Sequence, residues 1–275
     1  MSIQNFIPTV WSEILHEELS KKYVAVANCS RDYEGDIKEC GSQVKICGIE
    51  PISVFQYEKN ANIPAPEMLS DTETVLNIDR ATAFNFIVDD VDRVQSLPNL
   101  MNLAMRKAAE ALANDADSYV FSLITKIPDN RMIYASGINA ETIFDTILRA
   151  RESLYDGDVS DTSDIVLEVP PNIGSMILKA KLTAGSYDNH DVMANGYIGS
   201  VFGCKVFVSK NIPRPGSTYK CLLRTKRAIT FADQFTEICA YRPENRFADA
   251  VKGLHLYGAK IVYPNELVGI DLACD

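Results

Sequence analysis

The hydrophobic pattern of residues 96–127 predicts one long helix. Apolar residues recur there at spacings of three and four, which place them along one face of a helix. These positions are Leu100, Leu103, Ala104, Ala108, Ala111, Leu112, Tyr119 and Leu123. Ser96 can cap the first turn, and Ile127-Pro128 ends the helix because a residue before proline is pushed out of helical geometry. We expect a spine of about 45 Å on which sheets and neighbouring subunits pack; the alternative is a long helix in an ordinary α+β domain.

Residues 1–27 carry a second apolar stripe at helical spacing, which starts just after Phe6-Ile7-Pro8. Its members are Val10, Trp11, Ile14, Leu15 and Leu19. A terminal segment this apolar would expose a hydrophobic patch unless it packed on something. We therefore expect an arm that docks, either on its own domain or on a neighbouring copy.

Residues 31–59 change to the alternating pattern typical of strands with turns, with apolar residues at Val44 and Ile46. Residues 60–71 hold two prolines and cannot form a central strand, and residues 72–88 are again extended. Two extended arms around a proline-rich tip predict a long hairpin. Because an isolated two-stranded ribbon is marginally stable in water, we expect it to lie on another subunit.

A second region of helices and strands follows Pro128. A helix is predicted over 139–156, where Asn139 can cap the first turn with Thr142 in place of the usual glutamate. A second helix starts at Pro170-Pro171, and the final apolar stretch is expected to return to the spine. Strands are predicted at 165–169, 204–209, 220–224, 236–241 and within 247–262, with a polar, glycine-rich loop over 184–199. This order of elements indicates an α+β protein.

Charge is distributed unevenly along the chain. The sequence has 27 basic and 37 acidic residues, a net charge of −10, which argues against a dedicated nucleic-acid reader with a basic surface. Residues 1–92 hold sixteen acids and seven bases, whereas residues 192–232 hold seven bases and no acid. The two segments can pair within a subunit or head-to-tail between copies, and the second arrangement builds rings or shells. Alternatively both are solvated faces, since a surface ion pair contributes only ~0–1 kcal/mol.

Motifs for catalysis or ligand binding are weak. Asp188-x-His190-Asp191 is the one ligand-like cluster, and it lacks the partner spacing of a metal site. His16 and His255 lie far from it in the sequence, and the seven scattered cysteines form no C-x-x-C, which predicts reduced thiols. We see no secretory leader, membrane span or phosphate-binding loop. We therefore predict no catalytic residue, no metal and no cofactor, and no cross-link at Lys59-Asn60.

Four motifs follow one another around the predicted spine. They are FIPTVWS at 6–12, the YEGD…GSQVKI stretch at 33–46, the NGYIGSVFGCKV…SKNIP stretch at 195–213 and DAVKGLHLYGAKIV at 249–262. In this order they resemble the major capsid proteins of tailed bacteriophages, which have the Hong Kong 97-type fold. Ser42 departs from the commoner aspartate, and Cys204 stands where an aromatic or aliphatic residue is usual. The resemblance covers nearly the whole chain.

The resemblance implies an α+β capsid fold with four parts. These are an N-terminal arm at 1–27, an extended β-hairpin loop at 28–78, a peripheral domain at 79–135 and 247–275 with the spine helix 96–127, and an axial domain at 136–246. It also implies a major capsid protein without enzymatic activity, whose hexamers and pentamers form an icosahedral shell around double-stranded DNA. The implied location is the virion, assembled in the host bacterial cytoplasm. A separate scaffolding protein and a portal are possible partners, whereas a membrane and sequence-specific DNA binding are not implied.

Seven residues are candidates for contacts between subunits, on the arm, the hairpin and the basic stretch. They are Trp11, Tyr33, Lys59, Lys220, Arg224, Lys226 and Arg227. Two other classes of protein stay open: an encapsulin-like nanocompartment shell with the same fold, and an unrelated cytosolic α+β enzyme. A shell protein predicts very large assemblies, whereas an enzyme predicts a small oligomer with a concave site.

Overall fold

A computed structural model describes residues 15–32, 43–49, 54–57, 59, 62, 65, 71–89, 100–157, 159, 164–183, 196–216, 218–245 and 247–274. Residues 15–22 are helical, and the helices that follow are α1 (Leu100–Ser122), α2 (Ile143–Tyr155) and α3 (Pro171–Thr183). The strands are β1 (Gln43–Ile49), β2 (Asp71–Asn77), β3 (Arg80–Asp89), β4 (Met132–Ile138), β5 (Ile165–Val169), β6 (Tyr197–Val201), β7 (Cys204–Val208), β8 (Thr218–Thr225), β9 (Ile229–Tyr241), β10 (Ala248–Ile261) and β11 (Leu267–Cys274). The caps predicted around Ser96 and the cluster around His190 lie outside the described residues.

Helix α1 confirms the predicted spine, but the face that it buries differs from the predicted one. A 3-10 turn follows at Leu123–Lys126, and Ile127 is extended before the proline, as expected. The buried positions are Met105, Ala109, Leu112, Ala113, Ala116, Asp117, Val120 and Phe121. Leu103, assigned to the buried stripe from its spacing, is 47% exposed. Alanines occur all round this helix, so their spacing does not identify the packed side, which is fixed by the larger Met105 and Phe121.

The described part of the N-terminal arm docks on its own subunit. Leu15, Leu19 and Tyr23 are buried in the same core as α1. Ser30 then pairs with the edge of β9, because its N–H donates to Ile229 O at 3.0 Å and its carbonyl accepts from Phe231 N–H at 2.9 Å. The prediction of a docked arm is therefore confirmed for this segment. Of the two predicted options, the described residues take the one within the subunit.

Three antiparallel strands form a sheet in the order β3-β10-β9. On one face of it, Val251, Tyr257 and Ala259 pack into the core that contains α1. On the other face, Leu254 and Leu256 contact the root of the hairpin. The prediction that the final apolar stretch returns to the spine is confirmed.

A larger sheet has six strands in the order β4-β11-β8-β5-β7-β6. Helices α2 and α3 cover one of its faces, and every residue of β5 is buried. The start of α2 agrees with the predicted cap, because Asn139 Oδ1 accepts from Thr142 N–H at 3.0 Å and Asn139 N–H donates to Thr142 Oγ1 at 3.1 Å. This reciprocal pair replaces the glutamate of the usual capping box.

Sheet membership differs from the domain boundaries that the resemblance implied. Strand β9 falls in the predicted axial segment 136–246 but belongs to the three-stranded sheet, and β11 falls in 247–275 but belongs to the six-stranded sheet. The chain changes sheets through 3-10 turns at Lys226–Ala228 and Pro264–Glu266. A boundary drawn along the sequence cannot represent two sheets that exchange strands.

The predicted hairpin is present as β1 and β2, which pair from Gln43↔Asn77 to Ile49↔Asp71. The extended stretch 72–88 is two strands, because the chain leaves the hairpin after Asn77 and enters the three-stranded sheet at Arg80. At the root, Val44, Ile46, Leu76 and Ile78 pack on Ala232 and Leu256 of the same subunit. The hairpin root therefore packs on its own subunit. For the rest of the hairpin, contact with another subunit stays a prediction.

Gly258 allows this close packing, because a Cβ at this position would overlap the carbonyl oxygen of Asn77. Replacing Gly258 with Ala is expected to lower the free energy of unfolding by about 1–3 kcal/mol, since backbone must move to make room. Gly253→Ala on the same strand is the matched control. Its added methyl group meets the Phe84 ring, a side chain that can rotate. Urea unfolding measures both, and an equal loss in the two variants would contradict this role of Gly258.

Candidate assembly surfaces

A buried ion pair lies where the arm crosses the six-stranded sheet. Arg224 of β8 donates from Nε to Glu168 Oε2 at 3.0 Å and from Nη2 to Glu168 Oε1 at 2.9 Å, and neither side chain is exposed. The same guanidinium donates to the carbonyl oxygens of Ala25, at 3.1 Å, and Asn28. Burial raises the pKa of Glu168 against the opposing effect of Arg224. Arg224 thus connects β8 both to Glu168 of the neighbouring strand β5 and to the turn that follows the arm helix.

Asp117 of α1 holds the same turn from the other side. Its carboxylate accepts hydrogen bonds from the backbone N–H groups of Val24 at 3.0 Å, Ala25 at 3.0 Å and Val26 at 3.1 Å. Burial raises the pKa of Asp117 to about 6, although these three donors act in the opposite direction. The turn at 24–28 is therefore held by its N–H groups to α1 and by its carbonyls to Arg224.

A second cluster ties the arm to the three-stranded sheet. Asp233 of β9 accepts hydrogen bonds from Tyr23 Oη at 3.0 Å and Arg31 Nη2 at 3.0 Å, and its Oδ2 lies 2.9 Å from His255 Nε2. Burial by itself would raise the pKa of Asp233, but His255, Arg31 and Tyr23 outweigh it and lower the pKa to about 2. Burial also lowers the pKa of His16, which lies in the field of the same carboxylate. His255 therefore contacts this aspartate, and His16, which is distant in the sequence, lies in its electric field.

The seven predicted interface residues lie in different environments. Trp11 and Tyr33 fall outside the described residues. Lys59 is exposed near the hairpin tip, Lys226 is exposed after β8, and Lys220 is half-buried on β8. For these three the interface role stays a prediction.

Arg224 corrects the sequence interpretation. It was assigned to a subunit interface as part of a basic stretch, but it is fully buried within the subunit against Glu168. Arg227 is 47% exposed and already binds Glu266 of the same subunit, with Nε 2.9 Å from each carboxylate oxygen. All residues from Cys221 to Thr225 are buried, so β8 has no polar side that spacing could have revealed.

Three of the seven bases of the basic stretch are paired with acids of the same subunit. Lys205 contacts Asp164 at 2.8 Å, Arg224 contacts Glu168, and Arg227 contacts Glu266. These acids come from the middle and the end of the chain, and not from the acidic segment 1–92. These three pairs therefore support neither of the two predicted ways of pairing the acidic segment with the basic stretch.

Two sets of apolar side chains remain exposed on the hairpin and on the three-stranded sheet. At the hairpin tip, Val54, Phe55 and Tyr57 are 95%, 52% and 66% exposed. Across the sheet, Ile87 and Tyr241 both pair with Ala250 and therefore lie in one row on the face away from α1. We call this region, bounded by Asn85, Ile87, Tyr241, Phe247 and Lys252, the open sheet face.

Among the described residues, no group of histidine, cysteine, aspartate or glutamate side chains is arranged to hold a metal ion. A cavity of about 380 Å³ lies at the hairpin root. Tyr119 Oη donates to Asp79 there at 3.0 Å, and Lys260 Nζ donates to Val75 O at 2.8 Å, so its polar groups tether the hairpin. Within the described helices, none combines the length and apolar character needed to cross a membrane.

Comparisons with known proteins identify the fold. No family model matches the sequence, and no curated protein matches it. A structure from Mycobacterium phage Che8 matches 90% of each chain with a TM-score of 0.69 and 26% identity. The capsid of Ralstonia phage GP4 covers 94% of this chain and 91% of its own, with a TM-score of 0.71 and 11% identity. An encapsulin complex from Synechococcus elongatus PCC 7942 covers 75% of this chain and 76% of its own, with a TM-score of 0.56 and 12% identity.

These likenesses show the fold of the chain. It is the α+β fold of phage capsid proteins, the Hong Kong 97-type fold. The resemblance to tailed-phage major capsid proteins, noted from four sequence motifs, is confirmed by this match.

Arg224→Met tests the buried pair. The change leaves Glu168 buried without its partner, so the free energy of unfolding should fall by about 3–5 kcal/mol. Adding Glu168→Leu should recover part of the loss, because it removes the stranded carboxylate. Arg214→Met, at an exposed arginine, is the control and should change stability by about 0.5 kcal/mol or less. A loss in Arg224→Met no larger than in this control, measured by urea unfolding, would refute the role of the pair.

Proposed function

We propose that this chain is the major capsid protein of a tailed bacteriophage and self-assembles into the icosahedral shell that encloses double-stranded DNA. The observation that carries the proposal is the match to phage capsid structures over 90–94% of the chain. The subunit also has the features that such a shell requires. Its hairpin root is fixed by a core of its own, and its hairpin tip exposes apolar residues that a neighbour can cover.

The main contact between copies places the hairpin tip of one subunit on the open sheet face of the next. The tip offers Phe55 and Tyr57, and the open sheet face offers Ile87, Tyr241 and the 82% exposed Phe247. Burial of apolar surface contributes roughly 25 cal/mol per Å². Each such contact is modest, but every subunit makes several of them, and multivalency stabilises the closed shell.

The charge balance suits a container for DNA. A net charge of −10 disfavours tight binding to the phosphate backbone. Three bases of the basic stretch are used within the subunit. The protein is accordingly a virion component that encloses DNA without reading its sequence. Hexamers and pentamers of this chain, a portal and a separate scaffolding protein complete the proposed assembly in the host cytoplasm.

The encapsulin-like alternative shares the fold, since the Synechococcus complex aligns with a TM-score of 0.56. The phage interpretation is preferred because the two phage structures align with higher TM-scores over more of the chain. Neighbouring genes for a portal and a terminase would separate a phage capsid from a cargo compartment.

The double variant Phe55→Ser/Tyr57→Ser tests the hairpin contact. Loss of two aromatic anchors should lower the fraction of protein in large assemblies about tenfold or more. Sedimentation velocity of purified protein gives this fraction, and thermal unfolding checks that the subunit is folded. Leu103→Ser, at an exposed apolar residue of α1, is the control and should assemble normally. Unchanged assembly of the double variant would contradict the hairpin contact.

A further inference from the structure

The layer formed by the six-stranded sheet with α2 and α3 exposes aromatic residues on both of its outer sides. On the helix side, one stripe of α2 repeats at spacings of four, three and four residues: Phe144, Leu148, Arg151 and Tyr155. Phe144 and Arg151 are half-buried, and Leu148 and Tyr155 are exposed. Leu148 and Tyr155 are 42% and 41% exposed. The neighbouring stripe of α2 is buried on the sheet, so this helix is apolar on more than its packed side. A second apolar stripe beside the packed one marks an interaction surface.

The turn between β6 and β7 extends this stripe. Phe202 adopts a left-handed backbone with φ of 49°, which is costly for a residue with a side chain. In this conformation its ring packs edge-on against Phe144, with centroids 5.5 Å apart, and stays 38% exposed. Phe202 with the α2 stripe forms what we call the helix surface.

Arg151 is the charged centre of the helix surface. Its Nη2 donates to Tyr155 Oη at 2.8 Å, and its guanidinium lies 5.1 Å from the centre of the Tyr155 ring. These contacts fix the guanidinium among aromatic groups. Its Nε is buried within the subunit and has no hydrogen-bond partner among the described residues, so a neighbour would meet the terminal nitrogens of the guanidinium. An arginine set among exposed aromatic residues is the composition typical of an interface hot spot.

The other side of the layer carries a complementary row. Asp271 of β11 pairs in register with Tyr134 of β4 and with Lys220 of β8, so the three lie side by side. Ile270 and Leu272 point into the core under α2, so Asp271 points the other way. Tyr134 is 66% exposed and Asp271 is half-buried. The Oδ1 atom of Asp271 is buried and has no hydrogen-bond partner in the part of the chain that the structure describes. We call Tyr134, Lys220 and Asp271 the sheet surface.

We propose that the helix surface of one subunit docks on the sheet surface of the next, with Arg151 paired to Asp271 across the contact. The occupant is a second copy because Arg151 and Asp271 are opposite in charge and each surface presents exposed aromatic groups. They lie on opposite sides of one layer, so the contact is head-to-tail and propagates into a ring. This inference rests on the proposed shell function and adds a second contact that does not involve the hairpin.

Charge reversal tests the pairing. Arg151→Glu and Asp271→Arg should each lower the fraction of protein in large assemblies about tenfold or more. The double variant Arg151→Glu/Asp271→Arg should restore assembly, because it reverses the pair and keeps its attraction. Arg149→Glu is the matched control, since it makes the same charge change on the same helix outside the stripe. Sedimentation velocity at low salt gives the assembled fraction.

Two results would overturn the contact while leaving the shell function intact. In one, both single variants assemble as well as Arg149→Glu; in the other, the double variant fails to recover. If the unaltered protein forms no shells, the proposed function fails and the contact fails with it.

Cross-linking keeps the test decisive if a charge variant unfolds. Subunits carrying Leu148→Cys and subunits carrying Tyr134→Cys are mixed, assembled and treated with a mild oxidant. A head-to-tail contact predicts disulfide-linked dimers in the mixture and not in either variant alone. Leu103→Cys replaces Leu148→Cys in the control mixture and should give none. Assembled shells without dimers in the Leu148→Cys mixture would overturn the proposal.

Discussion

The buried ion pair between Arg224 and Glu168 is the constraint on which the subunit's shape depends. Burying two charges is costly, and such a pair contributes little net stability compared with an apolar core. Its role here is to fix the positions of the elements that it connects. Arg224 makes two bonds to a neighbouring strand and two to the turn at 24–28, and Asp117 holds the same turn from α1. The arm, the spine and the larger sheet are therefore fixed relative to one another by directional bonds.

A fixed body matters because the contacts of a closed shell must meet at defined angles. The hairpin leaves this body through a root packed on Leu256 and made possible by Gly258. Helix α2, which carries the other stripe, packs on a sheet in which every residue of β5 is buried. Both proposed contacts thus lie on rigid elements, and a neighbouring copy covers the side chains that these elements expose. Weak contacts can then add up over many copies.

The sequence predicts the local elements and much of the order of the fold. The spine, the hairpin, the returning strand and the Asn139 cap follow from periodicity and turn chemistry, and each is present. Long-range pairing is where prediction ends. The sheets that β9 and β11 join are set by partner strands far away in the chain. The packed face of α1 could not be identified from spacing, because alanines occur all round this helix. Arg224 appears as one more base in a basic run until its partner Glu168 is located.

The candidate surfaces also combine features that the sequence predicts with features that only the folded subunit shows. Exposed aromatic residues such as Phe55 look in the sequence like any core residue, because exposure is a property of the folded subunit. The separation of Arg151 and Asp271 on opposite sides of one layer also requires the strand order. By contrast, the acidic net charge is visible from composition alone.

The native mass of the purified, unaltered protein, from light scattering with electron microscopy of the same peak, tests the central claim most directly. The account predicts closed shells or rings of subunits. A stable monomer or dimer at high protein concentration, with no particles at any salt concentration, would contradict it.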